Sequence, residues 1–378
     1  MSRIFRTRFW RFCVVVAASL VVSATGCGLI DEALVECKED FTLLYSLRLI
    51  TNLQTEMDDK LDDERDRPLR LALEDHLKNI FAEFAHDVDL SFYSPEGEGL
   101  RLEHRTAIMD AGQATYEIEL KADDYYHLAL ANLQGNRVVN LTDPDRLGSS
   151  SLLQVQSTEQ AVASHNTGLF SARLPISVHR EESQSFDVNL YMANCAAALI
   201  VHTDSCAFSA MRAETYDLAN GFSVYDSVYS YAVNPYVTSS LIDVEPFVEQ
   251  VRREARTKGG EVDTSDVPMW TKTPSLFCSV GFPSRDESPA ESSVEGRIWR
   301  INLYVTLEDG SVTKNVISLG EPLQAAHLKI IRGWLQGDGS FVPGLPPGPG
   351  PGPGPDEMVV GVSVQLDWKE GMHFDPVL

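Results

Sequence analysis

Period-two alternation of apolar and polar residues, recurring from residue 41 to residue 368, limits this chain to strand-built architectures. FTLLYSLRLI (41–50) alternates around Leu43, Tyr45, Leu47 and Leu49. DVDLSFY (87–93) and TYEIEL (115–120) repeat the pattern, and YYHLALAN (125–132), LFSARLPISV (169–178) and SFDVNLYM (185–192) continue it. Successive side chains on a strand point to opposite faces, so each segment can bury one face and wet the other.

The second half has the same style. CAAALIVH (195–202), AFSAMRAETYDL (207–218) and PSLFCSVGF (274–282) have strand character. RIWRINLYVTLEDGSVTKNVISL (297–319) is the clearest hairpin, with Ile301, Leu303, Val305 and Leu307 on one face and Asp309-Gly310 at the turn. VVGVSVQLDW (359–368) alternates through Val360, Val362, Val364, Leu366 and Trp368, which predicts a last buried strand. Before it, GLPPGPGPGPGPD (344–356) places glycine at every second position. Collagen needs every third, so an extended loop is expected instead.

Helix appears in few places. In RPLRLALEDHLKNIFAEF (67–84), Leu69, Leu73, Leu77, Ile80 and Phe84 recur at spacings of four and three behind Pro68. VEPFVEQVRREARTKGG (244–260) reads as an exposed helix stopped by Gly259 and Gly260. AAHLKIIRGWLQ (325–336) fits strand and helix equally. The expected fold is mainly β, with two tandem β-sandwich domains over 27–190 and 191–378 and a few short helices.

Residues 1–26 read as a leader. MSRIFRTRFWR carries four arginines and no acid, FCVVVAASLVV (12–22) is apolar, and Ser23, Ala24, Thr25 and Gly26 close the run before Cys27. The apolar stretch is shorter than the roughly 20 residues a spanning helix needs. Gly26-Cys27 is similar to a bacterial lipobox, with Ala24 where Leu is usual. Acylation of Cys27 would supply about 0.8 kcal/mol per buried methylene. The plainer alternative is an unmodified cysteine just after a conventional cut.

Loss of those four arginines takes the net charge from −24 to −28. Nucleic acid is therefore not an expected partner, since phosphates are held by surplus Lys and Arg. Beyond Cys27, the candidates for disulfides outside the cytoplasm are Cys37, Cys195, Cys206 and Cys278. Four cysteines allow three connectivities, and Cys195 with Cys206 is the shortest closure. No close CxxC pairs favour zinc.

An enzyme is not expected, and neither is a cofactor or metal. The chain has no GxSxG elbow, no HExxH and no phosphate-cradling glycine loop. His86, His104, His127 and His202 are scattered over strands and loops, and the acidic run DDKLDDERD (58–66) lacks the glycine of a calcium loop. Asp123-Asp124 and Glu181-Glu182 are unremarkable in so acidic a chain. Trp270, Trp299, Trp334 and Trp368 could line a sugar platform, but strand spacing points Trp299 and Trp368 to the core.

Taken in order, several segments resemble one family. The opening Cys37-Lys-Glu-Asp-Phe-Thr-Leu-Leu-Tyr-Ser-Leu, a short way after the lipobox, resembles the first strand of FimB-type fimbrial anchor subunits of the Bacteroidales-type (type V) fimbriae. ADDYYHLALANLQGN (122–136), LPISVHREESQSFDVNLYMANCAAALIV (174–201), INLYVTLEDGSVTKNVISL (301–319) and VVGVSVQLDWKEGMHFDPVL (359–378) are similar to later pieces of the same family. Lys38 stands where the family has proline after its first cysteine, and the Pro-Gly run is not one of its hallmarks.

The resemblance implies two transthyretin-like sandwiches with Ig-like Greek-key topology. It also implies an outer-membrane lipoprotein held through Cys27 at the base of a fimbrium, limiting its length and binding a stalk subunit by β-strand complementation. The partners so implied are the stalk subunit and the membrane, and the protein would face the cell surface. A surface glycan-binding lipoprotein built on β-sandwiches is the alternative.

Overall fold

The computed structural model describes residues 40–50, 57, 60–81, 85–96, 99–109, 115–155, 161–179, 184–231, 236–258, 270–288, 296–344 and 362–368. Among these residues the protein is mainly β, with strands in four sheets.

The largest sheet has eight strands, in the order Thr115–Lys121, Asp40–Ile50, Ser185–Met192, Phe170–Ser177, Asp124–Ala131, Asp87–Glu96, Gly99–Met109 and Arg146–Leu147. Its first strand in sequence pairs antiparallel with Thr115–Lys121 and parallel with Ser185–Met192. A five-stranded sheet runs Ser240–Ile242, Ser275–Gly281, Cys195–His202, Leu328–Leu335 and Phe341–Pro343. A six-stranded sheet runs Val362–Trp368, Val312–Leu319, Trp299–Leu307, Phe208–Tyr216, Tyr236–Thr238 and Ala161–Ala163. The fourth sheet joins Tyr229–Ser230, Gly221–Ser223, Leu152–Val155 and Val139–Leu141.

The strand Cys195–His202 explains its own sequence. Every residue in it is buried. Ala196, Ala198 and Ile200 face the core shared with the eight-stranded sheet, while Cys195, Ala197, Leu199 and Val201 face a second core under Trp299, Leu303 and Ile317. A strand covered on both faces reads as a continuous apolar run rather than an alternating one. A third core lies on the far side of the eight-stranded sheet, where Leu128 and Leu130 meet Leu153, Phe222 and Phe282.

Helix Arg67–Leu77 buries Leu69, Ala72, Leu73 and Leu77 against the first core. It ends seven residues short of the periodic pattern, because the chain turns at Ile80 and Phe81, whose amides both bond to the Leu77 carbonyl. Helix Glu245–Lys258 lies beside it, tied by an ion pair between Arg67 and Glu254. Residues 328–335, which fitted strand and helix equally, form a strand; Leu328, Ile330 and Ile331 are all buried, on two different faces.

Two short strands between residues 152 and 163 pair with strands far along the chain. Leu152–Val155 bonds to Gly221–Ser223, and Ala161–Ala163 runs parallel to Tyr236–Thr238. Strands from either side of residues 190 and 191 therefore share two sheets.

Candidate functional site

The hairpin Trp299–Leu307 and Val312–Leu319 is the frame of one sheet edge. Its turn closes with the Gly310 amide donating to the Leu307 carbonyl at 3.0 Å, and Gly310 has φ +84°, which favours glycine. Trp299, Ile301, Leu303 and Val305 are buried, and the Trp299 Nε1–H donates to the Glu321 carbonyl at 2.8 Å. The alternation in the sequence thus drives one face of the hairpin into the core at about 1.5–3 kcal/mol per large side chain.

Strand Val312–Leu319 carries polar residues at two core-facing positions. Thr313 is 1% exposed and its hydroxyl donates to the Asp338 carbonyl at 3.0 Å. Asn315 is fully buried; its Nδ2 donates to the Gly339 carbonyl at 3.0 Å and its Oδ1 accepts from the Phe341 amide at 2.8 Å. These two side chains pin the hairpin 335–341 of the five-stranded sheet against the six-stranded one. Polar residues at the parity of Ile317 and Leu319 were the sequence signal for this tie, and pattern reading passed over it.

Along the other side of Val312–Leu319 runs Val362–Trp368, antiparallel, from Leu319 opposite Val362 to Thr313 opposite Trp368. The register sets Val362, Val364, Leu366 and Trp368 opposite Leu319, Ile317, Asn315 and Thr313, and the latter four are buried. Among the described residues the terminal strand has a single strand partner and forms the margin of its sheet. The Pro-Gly run that leads to it lies, beyond Gly344, outside the described residues.

The outer face of this sheet is a ladder of polar and aromatic pairs. Tyr216 donates to Glu214 Oε2 at 2.7 Å, and Arg212 bonds to Glu214 Oε1 at 3.1 Å. The Arg212 and Arg300 guanidinium groups lie 4.3 Å and 4.6 Å from the ring centres of Tyr304 and Tyr216. Burial and the neighbouring Glu214 carboxylate hold the Tyr216 phenol well above its usual range. The arrangement stiffens a sheet.

Cys27 and Cys37 lie outside the described residues. Cys195, Cys206 and Cys278 are free, buried thiols, and Cys195 and Cys206, the shortest of the closures the sequence left open, are not bridged. Cys195 begins a strand and Cys206 follows its far end, roughly 20 Å away at 3.3 Å per residue. A disulfide needs Cα atoms within about 7 Å. Cys278 pairs with Ala198 and faces the first core, whereas Cys195 faces the second, which excludes that bridge too. Burial pushes the Cys278 thiol up to about 12 and Cys195 further still.

The histidines take structural places. His127 is fully buried, stacks on Phe92 at 4.3 Å and meets the Ser91 carbonyl through Nδ1 at 3.0 Å. Burial lowers His127, His165 and His202 to about 4. Among the described residues no three His, Cys, Asp or Glu side chains come together as a metal site. No helix among them is long and apolar enough to cross a membrane. Trp270 and Trp299 are buried and Trp334 is half-buried, so none of these three is an exposed platform.

Fold and edge together define a mainly β protein of layered sheets whose last described strand borders its sheet. Among solved structures the chain is similar to the fimbrial anchor protein Mfa2 from Porphyromonas gingivalis, at 10% identity over 71% of this chain and 79% of that one, with a TM-score of 0.39. It is also similar to the tip fimbrial protein Mfa3 of the same organism, with C-terminal truncation, at 13% identity over 87% and 100% of the two chains and a TM-score of 0.35. A fimbrial assembly protein from Parabacteroides distasonis aligns at 10% identity over 87% and 99%, with a TM-score of 0.34. No protein-family model and no curated protein matches the chain.

Proposed function

We propose that this chain is an outer-membrane lipoprotein that anchors a fimbrium at its base and limits its length, gripping a stalk subunit by β-strand complementation. Cys27 holds the lipid, and the margin formed by Val312–Leu319 and Val362–Trp368 meets the stalk. The observation that carries this reading is the terminal strand itself. It is seven residues long, it is bonded to one described neighbour, and it follows a Pro-Gly run suited to an extended connection.

A partner strand that joins or replaces Val362–Trp368 would gain main-chain bonds to an existing ladder. Its alternate side chains would meet the buried row of Leu319 and Ile317. At the other end, residues 28–39 separate Cys27 from the first described strand, enough chain to reach about 40 Å when extended.

Deleting residues 359–378 in cells and counting attached fimbriae tests the grip. Shed or overlong fimbriae are expected; normal tethering at normal length would refute the role of this strand. Palmitate labelling of wild type against Cys27→Ser, followed by protease shaving of whole cells, tests the lipid and the sidedness.

A further inference from the structure

The third core covers only part of the eight-stranded sheet, and the uncovered part holds two adjoining cavities. Tyr126, Leu128 and Leu130 are successive residues on one face of the strand Asp124–Ala131. Leu128 and Leu130 are sealed beneath Leu153 and Phe222, whereas Tyr126 is 43% exposed. The cover stops one residue pair short of the ring.

The first cavity, of about 860 Å³, is lined by Tyr126, Tyr225, Glu96, Asp143, Arg146 and Ser149. The second, of about 550 Å³, is lined by Tyr191, Arg173, Asp187 and Asn189 together with the apolar Phe222 and Val224. Arg173 lies over the Tyr225 ring at 5.3 Å, so this pair is the wall between them. Tyr191 is 59% exposed and Tyr225 37% exposed. Both volumes fall in the range of small-ligand sites, about 300–1,000 Å³.

Three features fix the chemistry of an occupant. Exposed phenol rings offer flat apolar faces with a polar rim, and between them stand planar amide, carboxylate and guanidinium groups. Part of this lining is already held in place: Ser150 donates to Asp143 Oδ2 at 2.8 Å, and Arg101 pairs with Glu96 at 3.2 Å. Charge nearly cancels, with Asp187 against Arg173 in one cavity and Arg146 offsetting the acids of the other. In a chain of net charge −24, so balanced a surface suits a neutral ligand rich in hydroxyls.

The strand Asp124–Ala131 pairs along both sides, so no peptide strand can be added beside Tyr126. We infer that the two cavities form one binding face for a neutral oligosaccharide, its sugar rings stacked on Tyr126, Tyr225 and Tyr191 and its hydroxyls bonded to Asn189, Asp187 and Arg173. This activity is separate from the sheet margin and stands whether or not the chain anchors a fimbrium.

Affinity electrophoresis through gels holding amylopectin, yeast mannan or mucin glycans tests it. Wild type is expected to be retarded in at least one gel. Tyr126→Ala and Tyr225→Ala should each weaken retardation about tenfold, whereas Tyr225→Phe keeps the ring and should stay within about threefold. Leu241→Ala, exposed on another sheet, is the control and should run as wild type. Unchanged mobility of wild type in all three gels overturns the proposal, as does full retardation of both alanine variants. A concentration-dependent dimer lost in those variants, without retardation, would assign the face to a second copy instead. Thermal melting confirms that each variant is folded.

Discussion

Arg332 on a central strand of the five-stranded sheet bonds to Asp66 at the start of the first helix, Nη2 to Oδ2 at 2.5 Å, across 266 residues of chain. Their side chains are 16% and 5% exposed. Burial pushes the Asp66 carboxyl up, and the Arg332 guanidinium pulls it back. Removing one partner strands a buried charge, so Asp66→Leu alone or Arg332→Met alone should cost about 3–5 kcal/mol. The double variant Asp66→Leu with Arg332→Met should recover most of that loss. Urea midpoints for the four proteins in the cycle measure the coupling, and additive losses would count against it.

Asn315 makes two buried bonds to the main chain of the hairpin below it. Asn315→Leu leaves the Gly339 carbonyl and the Phe341 amide unpaired, at about 1–3 kcal/mol each. The segment 335–341 should then exchange its amide hydrogens faster than wild type, while Ser275–Gly281 keeps its protection. Uniform exchange across both segments would show that Asn315 does not tie the sheets.

The buried histidines set an acid limit on stability. In the unfolded chain an imidazole binds its proton near 6.5, but in the fold His127, His165 and His202 resist until about 4. Between those values the unfolded state holds more protons, so stability falls as pH falls through that window, by up to about 3 kcal/mol per group. Asp66 and Asp87, raised by burial, act in the opposite sense at the lower end of the window. Urea midpoints at pH 7.5, 6 and 4.5 should decline in that order, and His165→Gln should flatten the decline.

Free thiols at Cys195 and Cys278 should be inert in the native protein and reactive once it unfolds, because the thiolate is the nucleophile and burial raises both groups. A thiol reagent such as DTNB, added with and without guanidinium, separates the two states. Fast native labelling at either position would contradict their placement in two closed cores.

Gly168 leaves no room for a side chain. A Cβ built there would sit 1.7 Å from the Ile80 carbonyl oxygen, a backbone atom that cannot swing aside. Gly168→Ala should therefore lower stability by about 3 kcal/mol or more, read as a drop of several degrees in Tm.

Alternation in the sequence located the long strands well, because burying one face is a local property written every second residue. The hairpin 299–319 and its Gly310 turn follow directly from that pattern. Val139–Leu141, Arg146–Leu147 and Ala161–Ala163 escaped it, being too short to show a period, and the last of them is held by a partner far along the chain. Nearness in sequence made Cys195 and Cys206 the shortest closure, but an extended strand holds them apart. Tyr126, Tyr191 and Tyr225 were not singled out either, since alternation does not tell which face a neighbouring sheet leaves uncovered.

The first strand, Asp40–Ile50, is clamped between seven register pairs to Thr115–Lys121 and seven to Ser185–Met192. A pull along that strand loads both ladders in shear, so the bonds on its two flanks bear the strain together and cannot open one at a time like a zip. The sheet is thus strongest against force directed along its first strand.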